Sequence, residues 1–101
     1  MNRVTLAQIE ETIVSEFSFT AYEAVVNDAP ITDHSAKALQ LLTIVVLVLE
    51  NGFTVLGKSA CADPDIFDQA TGIRLARQDA VQQIWPLLGY ELKQKLFLAG
   101  P

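Results

Sequence analysis

The chain has 101 residues, half of them hydrophobic and 19% charged, with a net charge of −5. That length holds one domain, spanning residues 1–101, with one modest core, and the charge is too low for a disordered chain. The single cysteine, Cys61, excludes an internal disulfide and fits a reducing compartment.

Met1 to Thr5 run straight into a polar helical pattern, so no secretory leader is expected. The longest apolar stretch, Ala38 to Leu49, includes Gln40 and Thr43. It falls well short of the roughly 20 residues that cross a bilayer. The expected location is cytoplasmic, with no membrane partner. Residues 1–50 hold seven acids against Arg3 and Lys37, whereas residues 51–101 balance five acids with five bases. An acidic N-terminal half repels phosphates, so no nucleic-acid partner is expected either. The acids read as a solvated helix face, or alternatively as a face that docks on a basic partner.

Thr5 and Gln8 have capping-box spacing, with Val4 and Ile9 placed as a hydrophobic staple. Leu6, Ile9, Ile13 and Phe17 follow at helical spacing, which predicts a first helix over about 6–16. A second capping box, Thr20 with Glu23, opens a short helix that Asn27, Asp28 and Pro30 stop, although 18–26 also alternate as a strand would. Residues 28–40 read as a connection, with a helical turn begun by Thr32.

Leu41 to Leu49 is almost entirely β-branched or leucine and runs into Asn51-Gly52, after which Phe53 to Cys61 returns. This predicts a hairpin of 41–49 and 53–61 closed by a two-residue type I′ turn. Such a turn sets Glu50 against Phe53, Val48 against Val55 and Ile44 against Ser59. Leu42, Ile44, Val46 and Val48 then share a face with Val55, Gly57 and Ser59, whose small side chains would let a helix approach. That helix is expected from Asp63 to Trp85, capped by Asp63 with Pro64 first and Asp65 in its positive end. Its stripe is Ile66, Ala70, Ile73, Ala76, Ala80 and Ile84, and Gly72 within it marks a close contact or a bend. Pro86 should end it, leaving a last helix over 90–98.

The search for chemistry is mostly negative. The glycines form no phosphate loop, and His34 stands without acidic or cysteine neighbours at metal-ligand spacing. Cys61 lies between alanines and reads as a small apolar group. Asp63, Asp65 and Asp68 lack the glycine and the glutamate of a calcium loop. We expect no catalytic, cofactor-binding or metal-ligating residue. The candidates for an interaction surface are Trp85, Tyr90, Arg74 and Arg77, set against plainer readings as core packing and solvated helix face.

One long combination is more specific. Leu49-Glu50-Asn51-Gly52-Phe53-Thr54-Val55, Gly57-Lys58-Ser59-Ala60-Cys61-Ala62, Phe67-Asp68, Gly72, Ala76-Arg77 and Ile84-Trp85-Pro86-Leu87 with Gly89-Tyr90 resemble a family of small tailed-phage proteins. That family is named for short reading frames of N-four-like and Sf-six-like podoviruses. The resemblance implies a phage or prophage origin, hence the host-cell cytoplasm, and no mechanism.

The expected fold is therefore α+β, a two-stranded antiparallel hairpin packed against an N-terminal helix and two C-terminal helices. The expected function is that of a non-enzymatic accessory protein that binds a host or phage protein. The alternative is a small enzyme or ligand-binding domain at the strand–helix junction, using Cys61, Asp63, Asp68 and Arg77. A homodimer is expected, because both hairpin faces are apolar and both edges are unpaired. A monomer whose residues 18–40 wrap over an exposed face or edge is the competing arrangement.

Overall fold

A computed structural model describes residues 3–28 and 30–101. Helix α1 (Leu6–Thr12) leads into strand β1 (Ile13–Thr20), and two short helices follow, α2 (Ala21–Val25) and α3 (Asp33–Leu39). Strands β2 (Leu42–Leu49) and β3 (Thr54–Ala60) form the hairpin, and a 3-10 turn (Pro64–Ile66) precedes the long helix α4 (Gln69–Ala99). The α+β class stands. The sheet, however, has three antiparallel strands in the order β1-β2-β3.

The N-terminal signals hold locally. Thr5 and Gln8 close a reciprocal capping box, and Ile9 is fully buried with Val4 packed against the same core. Thr20 and Glu23 close the second box, and Thr32 caps α3. The first helix nevertheless stops at Thr12 instead of continuing to 16. Residues 13–20 pair with the edge of β2, setting Ile13 against Leu49, Phe17 against Val46 and Thr20 against Thr43. Ile13, Val14, Phe17 and Phe19 are good strand formers, and a long apolar edge offered them backbone partners that local periodicity does not reveal. Phe17 thus leaves the helical stripe for the sheet. The segment that covers the β2 edge is 13–20, which overlaps the expected 18–40 only at Ser18, Phe19 and Thr20.

The hairpin exists, but its register is one residue from the expected one. The Leu49 carbonyl accepts from Gly52 N–H at 2.8 Å and Leu49 N–H donates to the Phe53 carbonyl at 2.8 Å. The loop therefore has three residues, Glu50, Asn51 and Gly52, and only Gly52 takes a positive φ, of 88°. This is a type I turn closed by a glycine bulge, and Asn51 spends its side chain accepting from Phe53 N–H at 3.0 Å. Leu47 opposes Val55, Val48 opposes Thr54 and Thr43 opposes Ser59.

The shift exchanges the faces. Thr43, Val45, Leu47 and Leu49 are buried and share the inner face with Val55 and Gly57. Helix α4 lies on this face and not on the Leu42/Ile44/Val46/Val48 face. The reading of Gly57 as a point of close approach survives the shift. A Cβ there would come within 2.0 Å of the Ala76 carbonyl oxygen and 2.4 Å of the Ala80 nitrogen. Gly72 likewise marks close contact, since a Cβ on it would stand 2.6 Å from Thr43 Oγ1. The core joins Ile9, Val45, Leu47, Leu49 and Val55 to Ala76, Ala80, Val81 and Ile84.

Two helix boundaries also differ. Asp63 caps the 3-10 turn by accepting from Asp65 N–H, while α4 is capped by Asp68, whose carboxylate accepts from both Thr71 N–H and Thr71 O–H. Ile66 consequently falls outside the stripe and is exposed, and Ile73 is only partly buried. At the other end α4 runs through Pro86, so the separate helix at 90–98 is absent. Pro86 and Gln82, whose carbonyl loses its N–H partner, are both solvent-exposed. Water can satisfy that carbonyl, while Ile84, Trp85 and Leu88 hold the chain against the core on either side of the proline.

Candidate interaction surface

The sheet has a second face. On β2 it carries Leu42, Ile44, Val46 and Val48, all half-buried. The register adds Ser15, Phe17 and Phe19 from β1 and Thr54, Leu56, Lys58 and Ala60 from β3. Phe17 is 59% exposed and Leu56 50% exposed, and they flank Val46 from opposite sides. Lys58 is the one charged side chain among these positions. Helix α4 lies against the opposite face, while α2, which follows β1, touches both β1 and β2. Phe17 and Leu56, with the half-buried β2 side chains between them, make a contiguous apolar strip across three strands, the kind of surface that marks an interaction site.

The edges of the sheet are managed separately. β1 covers one edge of β2. On the free side of β3, Lys58 N–H donates to Asp79 Oδ2 at 3.0 Å and the Leu56 carbonyl accepts from Gln83 Nε2 at 2.5 Å. Side chains of α4 thus occupy backbone groups that would otherwise pair with another strand.

The sequence candidates are dispersed. Trp85 is partly buried against the core, and Tyr90 is 74% exposed on α4 beyond it. Arg74 is exposed. Arg77 forms a fork to α1 and β1, donating to Glu10 at 2.7 and 3.1 Å and to Glu16 at 3.2 and 3.3 Å. The hydrogen bond from Arg77 holds the Glu10 carboxyl below its usual range, against a smaller opposing effect of burial, and Glu10 in turn raises the Arg77 pKa.

This pair makes a pH prediction. Glu10 is depressed in the folded state, so its stabilisation is present above the normal carboxylate range and fades as pH falls through the folded pKa. Both side chains are partly exposed, which limits the effect. Arg77→Gln should lower stability at pH 7 by about 1 kcal/mol or less, and should flatten the acid limb of a plot of stability against pH below about 4.5. Denaturant titrations at pH 7 and pH 3.5 measure both effects.

At the strand–helix junction, Cys61 and Asp68 line one cleft of about 350 Å³ with Phe67, Thr71 and Gly72. The Cys61 thiol donates to the Asp63 carbonyl at 3.2 Å. Asp68 is held below its usual pKa first by the Thr71 hydroxyl and then by the Thr71 N–H. Arg77 is not in this cleft, so the four residues of the alternative site are not brought together. His34 is exposed on α3. Among the described residues, no group of three His, Cys, Asp or Glu side chains is gathered as metal ligands.

No described helix is long and apolar enough to cross a membrane. Compared with known proteins, residues 4–96 match the model of the phage protein (N4 Gp49/phage Sf6 gene 66) family. No curated protein and no solved structure matches the chain.

Proposed function

We propose a role for a chain that belongs to the phage protein (N4 Gp49/phage Sf6 gene 66) family: it binds another protein through the open face of its sheet. The observation that carries this reading is the apolar face opposite α4, centred on Val46, with exposed Phe17 and Leu56 on either side. Burying such a face stabilises a complex by roughly 25 cal/mol per Å² before the costs of association are subtracted. Both sides of β2 are paired and α4 occupies backbone groups on β3, so the face and the outer edge of β1 are the parts of the sheet open to a partner, and the apolar side chains favour the face. A partner that fits presents its own apolar surface; a host or phage protein met in the host-cell cytoplasm is the proposed encounter, and membership of a phage family supports that reading.

The alternative site near Cys61 has less support. It requires Arg77 beside Asp68, and Glu10 and Glu16 hold Arg77 at another place on α4.

The test compares capture from infected host lysate by the natural chain and by a Phe17→Asp, Leu56→Asp double variant. Both side chains are half or more exposed, so the variant should fold with an unchanged circular dichroism spectrum. The proposed function expects a captured protein that is lost with the variant and rebinds the natural chain when purified. Capture that survives the double variant would refute it.

A further inference from the structure

The two outer edges of the sheet are treated differently. On β3, Asp79 and Gln83 of α4 take backbone groups that would otherwise invite another strand. On β1, Glu16, Phe17 and Ser18 are exposed in succession, although strand geometry sends their side chains to alternate faces. Residues 13–20 contain neither lysine nor proline, and Arg77 holds the one charge among them, Glu16.

The hairpin shows which backbone groups of this edge lie free. Leu49 N–H donates to the Phe53 carbonyl, and the Leu41 carbonyl accepts from Cys61 N–H, so these positions of the β2 segment turn toward β3. By alternation Val48, Val46 and Ile44 turn toward β1 and bond their partners Ser15, Phe17 and Phe19. Glu16 and Ser18 therefore direct N–H and C=O outward. The free row is short. Thr20 N–H, next along it, donates to the Glu23 carboxylate, and the irregularity between Ile13 and Ser15 ends it on the other side.

This row is its own complement in one register. Turned antiparallel about Phe17, Glu16 meets the partner's Ser18 and exchanges both hydrogen bonds with it, and the symmetry repeats the pair. Phe17 then faces the partner's Phe17 at a non-hydrogen-bonded position, where opposed side chains come closest. A centre at Glu16 would oppose two glutamates. A centre at Ser18 would set Glu16 against the partner's Thr20, whose N–H is already taken.

We propose that two copies join through the outer edges of β1, antiparallel about a two-fold axis at Phe17, forming a homodimer with one continuous sheet. The contact is isologous, so it closes with two chains, and the β3 edges at the ends of the joined sheet are the ones α4 guards. The dimer does not rest on the proposed function, since it is made by backbone groups of β1.

The experiment is sedimentation velocity at concentrations from about 1 to 100 μM, which bracket ordinary homodimer affinities. The natural chain should reach twice its 11.1 kDa mass. Ser18→Pro removes an outward N–H and spares the bonds to β2, so it should give a monomer with an unchanged circular dichroism spectrum. Ser18→Glu, exposed in the single chain, sets like charges opposite each other and should weaken the dimer several-fold. In a Cys61→Ser background, Phe17→Cys should form a disulfide between copies on mild oxidation, whereas Ser15→Cys, opposite the partner's Phe19, should not. Leu56→Asp should leave the dimer intact, which separates a failure of the edge from a failure of the open face. A monomer throughout the range would overturn the proposal, as would a dimer indifferent to both Ser18→Pro and Ser18→Glu. A monomer that loses a captured protein on Ser18→Pro would assign the edge to a foreign strand and overturn it too.

Discussion

Gly57→Ala should destabilise the protein by about 3 kcal/mol, the upper part of the range for overpacking a close-fitting core. The added methyl would meet the Ala76 carbonyl oxygen at 2.0 Å and the Ala80 nitrogen at 2.4 Å. Both are backbone atoms of a helix, so no side chain can rotate away. Helix α4 must lift from the sheet along its best-packed segment, opening space around Val45 and Ile84 as it moves. In a domain of this size the loss corresponds to a fall in melting temperature on the order of 10–20 °C. The same substitution at Gly89 meets nothing within 4 Å and should leave the folded monomer as stable or slightly more so. Thermal denaturation of the two variants side by side checks the contrast. Equal melting temperatures would mean that α4 does not sit on β3 at Gly57.

A second pair of substitutions reads the hairpin register directly. Leu47 is fully buried on the inner face, and Leu47→Ala should cost about 2–5 kcal/mol for lost burial and the cavity left behind. Val46, one residue earlier, points to the open face, and Val46→Ala should cost less than about 1 kcal/mol. The type I′ register expected from Asn51-Gly52 places the helix over Val46 and reverses the order of the two losses. Urea denaturation of both variants, with unchanged m-values, decides between the two registers.

What the sequence made legible was local chemistry. Both capping boxes, the Thr32 cap, the existence of the hairpin and the close approach at Gly57 follow from side chains acting on neighbouring backbone or on their own strand. Whatever depended on a distant partner was hidden. Residues 13–20 carry both a helical and a strand-like pattern, and only the unpaired edge of β2, some thirty residues away, decides between them. Asn-Gly is compatible with two loop lengths, and the difference of one residue exchanged the covered and open faces of β2. Pro86 is a local breaker, overruled by core contacts from Ile84, Trp85 and Leu88 on either side of it. The candidate surface was missed for the same reason. Phe17 belonged to a helical stripe until β1 formed, and Val46 was expected beneath the helix. Trp85, Tyr90, Arg74 and Arg77 stand out in the sequence by residue type alone, and the fold distributes them between the core edge, the solvent and the Glu10–Glu16 fork.

On the proposed function, this phage protein meets its partner at the open sheet face. A photo-crosslinking amino acid placed at Val46, at the centre of that face, tests it directly when compared with the same group at Gln82, exposed on the side of α4 away from the sheet. In infected host cells the Val46 probe should give a discrete crosslinked protein, and the Gln82 probe should not. Crosslinks from Gln82 with none from Val46 would contradict the account.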